Sequence, residues 1–148
     1  MNIDQLRNEL TQDEGCKLEI YRDHLGYPTC GIGHLITEFD EELFGQPEGT
    51  PVSQEKVNEL FERDIQITLN ECNDLYNNFD VLPEEVQHII ANMMFNMGKP
   101  RLSKFVNMKK AVLEGNWKEA SVQMQDSKWY QQVPNRAERL VTRMKDLS

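Results

Sequence analysis

At 148 residues, the chain is the size of one folding domain able to bury a substantial core. Its 25 Asp and Glu outnumber 16 Lys and Arg, a formal net charge of -9, which argues against a nucleic-acid partner. Met1-Asn2-Ile3-Asp4-Gln5 lacks a basic region followed by an apolar run, and no stretch reads as a transmembrane span, so membrane insertion is not expected.

The first predicted element is a short amphipathic helix over about 2–14. Ile3, Leu6 and Leu10 recur at helical spacing, Asn2 is placed to cap the start, and Gly15 suits the residue that ends it. A small β region follows over about 15–52. It holds the apolar alternation of Leu18 and Ile20, a turn at His24-Leu25-Gly26, and a second alternation from Tyr27 to His34. In that alternation Tyr27, Thr29, Gly31 and Gly33 share one face, and Pro28, Cys30, Ile32 and His34 the other. Residues 37–51 are acidic, broken by Gly45, Pro47, Gly49 and Pro51, and read as a loop.

A long helix is predicted over about 53–76, with Val57, Leu60, Phe61, Asp64 and Thr68 on one face. Pro83 suits the first turn of the next helix, and Gly98 and Pro100 end it. Its stripe of Val86, Ile89, Ile90, Met93, Met94 and Met97 reads as core. Shorter helices follow after Ser103 and around Trp117 and Ala120, and a last one starts at Pro134. The fold class is therefore α+β, mainly helical: one domain over 1–148, with a small β lobe, a linking helix, and a helical lobe over about 77–148 on which the first helix packs. No repeat or flexible linker is visible.

The chemistry concentrates near the start. Glu14 falls in the last turn of the first helix, where unpaired carbonyls disfavour an ionised carboxylate, and Asp13 adds like charge. That is a suitable place for a general acid. Asp23, at a strand end beside a glycine turn, is expected to stay solvated and ionised. Two carboxyl groups in different environments are what glycosidases use. Thr29 is placed to hold an attacking water, with glycines on its face leaving room for a ligand. Each feature also has an ordinary structural reading, since Asp-Glu-Gly is a common helix ending and Thr a common strand residue. Cys16, Cys30 and Cys72 lack a framework spacing and predict reduced thiols. Cys16, Cys72 and His88 do not form a metal-ligand spacing.

Taken together, several blocks resemble the phage-type lysozymes of the T-even coliphage endolysin kind. They are Asp13-Glu14-Gly15, Ile20-Tyr21-Arg22-Asp23, Gly26-Tyr27, Gly31-Ile32-Gly33-His34-Leu35, Asn92-Met93-Met94-Phe95-Asn96-Met97-Gly98, Ser127-Lys128-Trp129-Tyr130 and Pro134-Asn135-Arg136-Ala137. The resemblance spans nearly the whole chain in order. It implies a lysozyme-like fold and hydrolysis of the β-1,4 bond between N-acetylmuramic acid and N-acetylglucosamine in peptidoglycan. Glu14 is then the general acid, Asp23 stabilises positive charge on the sugar or helps activate water, and Thr29 positions that water, with inversion and without metal or organic cofactor.

The resemblance further implies that Arg136 pairs with Asp13, against the alternative of a solvated helix residue. It makes Leu35 and Phe95 either cleft or core residues. Three positions depart from the family pattern: Met108 stands where a small hydroxyl residue is usual in the cleft, Gln123 where Asn is usual and Asn96 where Gln is usual. Met108 and Gln123 are carried as substrate contacts with Leu35 and Phe95. Trp129 and Tyr130 read as core rather than sugar-binding. Val133 stands where a hydroxyl cap is expected before Pro134.

His34, opposite Thr29, is expected to form a supporting ion pair with Asp64, which otherwise sits amid apolar neighbours. A monomer is expected, held in the host cytoplasm until a separate holin releases it to the periplasm. Its acidic balance predicts slower or more salt-sensitive wall binding than in a basic relative. Two other readings stand beside hydrolysis: a lytic transglycosylase cutting the same bond, and a non-catalytic peptidoglycan-binding relative.

Overall fold

The computed structural model describes residues 1–148. It is 60% helical, with eight helices and one small antiparallel sheet, the mainly helical α+β class expected. The chain divides into two compact units, Asn2–Ile67 and Thr68–Ser148, the second joined by Met1.

In the first unit, helix α1 (Ile3–Glu14) is capped by the Asn2 side chain, which accepts from Gln5 N at 3.0 Å. It ends at Gly15, whose φ of 73° is open to a residue without Cβ. Leu6 and Leu10 are fully buried. On the outer side Arg7 Nε reaches both carboxylate oxygens of Glu62 at 2.9 Å, which ties α1 to helix α2 (Gln54–Leu75). Helix α1 falls in the same compact unit as the sheet.

Strands β1 (Lys17–Arg22), β2 (Pro28–Gly31) and β3 (His34–Leu35) pair antiparallel in that order. Tyr21 faces Thr29 across β1–β2, while Thr29 faces Leu35 and Cys30 faces His34 across β2–β3. Residues across an antiparallel pair share a sheet face. Tyr21, Thr29 and Leu35 therefore lie on one face, and Cys30 and His34 on the other.

The alternation read from Tyr27 to His34 does not run through. β2 stops at Gly31, and Ile32 and Gly33 form a turn, with Gly31 and Gly33 at φ of 60° and 62°. The loop after β3 returns along β1, where Ile20 N donates to Thr50 O at 2.9 Å and Val52 N to Leu18 O at 2.9 Å. Helix α2 begins in this unit and ends in the next, with Val57, Leu60, Phe61 and Thr68 buried as its pattern predicts.

In the second unit, α3 (Glu84–Met97) carries the methionine stripe, and Met93, Met94 and Met97 are buried. Then come α4 (Lys99–Leu102), α5 (Val106–Leu113), α6 (Trp117–Gln125), α7 (Lys128–Gln132) and α8 (Pro134–Lys145). α6 packs on α5 and α8, α3 on α4 and α8, and α7 on α8. Pro100, read as a terminator, instead sits in the first turn of α4, where its missing N–H is not needed. Trp129 is buried, donates Nε1–H to Asn96 Oδ1 at 2.8 Å and meets Phe105 edge to face at 6.4 Å.

Candidate active site

Glu14 is the last residue of α1, and its carboxyl lies against the turn between β2 and β3. A Cβ at Gly33 would stand 2.6 Å from Glu14 Oε1 and 2.7 Å from Cδ. Those distances are below any real contact, so only glycine lets the carboxyl occupy this seat. The glycines of this segment were expected to make room for a ligand. They make room for the chain's own side chains, Gly33 for Glu14 and Gly31 for Val57, whose Cγ1 would lie 3.0 Å from an added Cβ.

Asp23 follows β1 and is fixed by the hairpin it opens. Its Oδ1 accepts from Leu25 N and Tyr27 N, both at 2.9 Å. Its own N–H donates to Tyr27 O at 3.0 Å, and its carbonyl accepts from Gly26 N at 2.9 Å. One carboxyl oxygen is thus spent on backbone, and Oδ2 is left for other work. Hydrogen bonds involving a charged group contribute about 1.5–3 kcal/mol each, enough to hold this rotamer.

Thr29 is 4% exposed, and its hydroxyl donates to Tyr27 O at 2.9 Å. With its proton committed, Oγ1 presents only acceptor lone pairs to a water. Tyr27 therefore sets both groups: its N–H orients Asp23 and its carbonyl orients Thr29.

Tyr21 was not singled out as a site residue, yet it sits among these groups. It is the cross-strand partner of Thr29, and Lys17 Nζ lies 4.5 Å above its ring. Burial first, and then the negative charges of Glu14 and Asp23, hold its hydroxyl above the ordinary phenol range. The only sequence signal for this was its position two residues before Asp23 in a strand.

On the opposite sheet face, His34 is held at both ring nitrogens. Nδ1 lies 2.6 Å from Asp64 Oδ2, and Nε2 lies 3.0 Å from Asp40 Oδ2. A neutral ring would turn one lone pair toward a carboxylate, so the doubly protonated form satisfies both partners. Burial opposes that charge, but the bonds to Asp64 and Asp40 outweigh it and raise the pKa. Burial likewise works against an ionised Asp40. The Thr37 N–H at 2.8 Å, His34 and Arg63 reverse that and lower its pKa. Asp40 was missed in the sequence because it lies in a segment that reads only as an acidic loop.

The remaining expected residues fall in different places. Leu35 is 49% exposed on the Thr29 face. Phe95 is half-buried in α3. Gln123, half-buried in α6, donates to Glu119 Oε1 at 2.8 Å. Met108, expected to touch substrate, is 0% exposed: its long apolar side chain fills the core of the helical unit and has no surface to offer a ligand. Arg136 is buried in α8, and its Nε donates to Asn92 Oδ1 at 2.8 Å. Asp13 precedes Glu14 and is half-buried.

Burial pushes the Cys30 thiol up to about 11 and the Cys72 thiol up to about 12, which leaves Cys16 as the one exposed free cysteine. No cluster of His, Cys, Asp and Glu fits a metal ion. A concavity of about 380 Å³, lined by Leu43, Val52, Lys56 and neighbours, contains none of the candidate site residues.

Residues 11–146 match the family described as Phage lysozyme. "Probable T4-type lysozyme 2" of Dictyostelium discoideum is 32% identical over 95% of this chain and 93% of its own length. "Pre-baseplate central spike protein Gp5" of Enterobacteria phage T4 is 33% identical over 88% of this chain and 26% of its own length. "Peptidoglycan hydrolase gp36" of Pseudomonas phage phiKMV is 31% identical over 93% of this chain and 15% of its own length.

Proposed function

The chain belongs to the phage lysozyme family, and from that premise we propose that it hydrolyses the β-1,4 bond between N-acetylmuramic acid and N-acetylglucosamine in bacterial peptidoglycan. The observation that carries this reading is the hairpin that orients Asp23 and Thr29 through one residue, Tyr27, on the sheet whose turn seats Glu14. A glycosidase needs one group to protonate the leaving oxygen and another to meet charge or water on the far side of the ring.

Glu14 serves as the acid. As the bond opens, its proton goes to the glycosidic oxygen and positive charge builds on the sugar. Asp23, with Oδ2 uncommitted, faces that charge. Thr29, whose hydroxyl proton is hydrogen-bonded to Tyr27 O, accepts a hydrogen bond from the attacking water and so turns an oxygen lone pair toward the sugar, and the proton that water sheds passes to Asp23 Oδ2. Attack opposite the leaving group inverts the anomeric centre. Leu35, exposed beside Thr29, supplies apolar surface to the sugar. The biological setting that fits is lysis of a phage's host, with the enzyme held in the cytoplasm until a holin admits it to the wall.

The test is clearing of outer-membrane-permeabilised Gram-negative cells by wild type and Glu14→Gln, with released ends analysed by mass spectrometry. Reducing muramic acid ends, lost in the variant, are expected. Anhydro ends would make the chain a lytic transglycosylase. Wall pelleting without clearing by folded wild type would make it a binding protein.

A further inference from the structure

Large apolar side chains left in water on a fixed backbone mark contact surfaces. Two of the six phenylalanines, Phe39 at 84% and Phe44 at 56%, are mostly exposed, and both lie in the short segment after β3. The backbone there is held. Asp40 is buried, and its carboxylate is bonded to His34 and to Thr37 N. Its carbonyl accepts from Leu43 N at 2.9 Å and from Phe44 N at 2.8 Å. Leu43 is buried by the same turn, while the two aromatic rings stay in solvent.

A groove runs beside them. One concavity of about 380 Å³ and another of about 200 Å³ share Glu42, Leu43 and Lys56. Together they follow the seam between residues 39–53 and the first turns of α2. Phe39 lines the smaller one and Val52 the larger, and Phe44 adjoins Leu43, which lines both.

Charge selects the occupant. Unpaired carboxylates are common on this acidic chain and do not mark the groove by themselves, but here they stand beside exposed aromatics. Lys56 Nζ lies 3.7 Å from Glu59, and Arg63 lies 3.8 Å from Asp40 and 3.9 Å from Glu59. Both cations of the groove are thereby engaged, while its Glu41, Glu42 and Glu55 have no cation in ion-pair range. An anionic membrane or a nucleic acid is repelled by these groups. A small polyamine would meet the carboxylates and leave both phenylalanines in water. A helix with apolar residues along one face and Lys or Arg beside them answers both, since residues three and four apart share a face.

We infer that this groove docks a basic amphipathic segment of another polypeptide, with apolar side chains against Leu43, Phe39 and Phe44 and cations on Glu41, Glu42 and Glu55. The inference stands apart from the hydrolase reading, because the groove contains none of Glu14, Asp23 and Thr29.

The probe is a fluorescein-labelled synthetic helix with Leu along one face and Lys beside it. It is compared with the same peptide bearing Ser for Leu and with one bearing Glu for Lys. Fluorescence anisotropy follows binding to wild type, Phe39→Ser/Phe44→Ser, Glu41→Gln/Glu42→Gln and Asp80→Asn/Glu114→Gln. The last changes net charge equally at positions of the other unit, and every substituted residue is exposed. Circular dichroism melts check that each variant folds. The expected result is about tenfold weaker binding of the Lys/Leu peptide by each groove variant, with the Asp80 and Glu114 variant within about twofold of wild type. Wild type should bind the serine peptide about tenfold more weakly, and the glutamate peptide not at all. Undetectable binding of the Lys/Leu peptide by wild type would overturn the inference, as would a Phe39 and Phe44 variant that binds as wild type does. An equal loss in the Asp80 and Glu114 variant would overturn it too, by showing diffuse charge attraction. Equal binding of the serine peptide would make the ligand a simple polycation. Sedimentation in which wild type self-associates and the Phe39 and Phe44 variant does not would make the occupant a second copy of this chain, against the inference.

Discussion

Gly33 carries a demand that no other residue can meet. Its φ is positive and its missing Cβ is the space that the Glu14 carboxyl fills. Gly33→Ala should cost about 1–2 kcal/mol of backbone strain, but its larger effect should be on the chemistry. Displacement of a catalytic group by about 1 Å costs on the order of a hundredfold in rate. We expect kcat to fall about that much with the fold retained, checked by turnover beside circular dichroism. Full activity in a folded Gly33→Ala would show that Glu14 works from another position.

His34 gives a second residue-scale prediction. Its pKa in the folded chain lies above the ordinary 6.5, so its clamp between Asp64 and Asp40 contributes fully below that value and is lost as pH rises through the folded-state pKa. The pKa of Asp40 lies below its ordinary 3.8, so its contribution is present above that value and fades as pH falls through the lowered one. The clamp therefore works in a window closed on the acid side by Asp40 and on the alkaline side by His34. His34→Asn should lower Tm most near pH 6 and progressively less toward pH 9. A deficit that did not change with pH would mean the ring acts by packing alone.

Among the elements, α8 begins with an avoidable defect. Val133 is its N-cap residue and offers no side-chain acceptor, whereas Asn2, Asn116 and Ser127 cap α1, α6 and α7 with hydrogen bonds. Val133→Thr should add about 1 kcal/mol, which in a chain of this size is about 2–4 °C in Tm by calorimetry. No gain would mean that the hydroxyl cannot reach the first-turn N–H from the Val133 backbone conformation.

The elements also show what a sequence makes legible. Long periodic helices such as α2 and α3 announce themselves, because burial of one face repeats every turn. α4 did not, because proline reads as a stop while the first turn of a helix accepts it. α7 is too short to show a period. The strand through Gly33 was overextended because alternation of residue types continues where the backbone has already turned.

For the whole molecule, the class and order of elements were legible because they follow from apolar spacing and from punctuation by glycine and proline. The short motifs that single out Glu14, Asp23 and Thr29 as candidates were legible too. What holds them was not. The bonds from Asp23 to Leu25 and Tyr27, and from Thr29 to Tyr27, involve backbone N–H and C=O groups, which every non-proline residue carries and no sequence pattern marks. Asp40 was invisible for a related reason: one acidic residue in an acidic loop is singled out only when a histidine from elsewhere folds against it.

The hairpin bears on how this sequence can drift. Tyr27 contributes to the site through its peptide group, and its ring is 54% exposed. Selection on Asp23 and Thr29 should then act on position 27 through one negative criterion, the presence of an amide proton. In a library of all amino acids there, screened by halo formation on embedded cell walls, clones with aliphatic, polar or charged residues should survive, and proline alone should be absent. Such a position would look freely variable in a collection of working sequences while one of the twenty letters stayed forbidden.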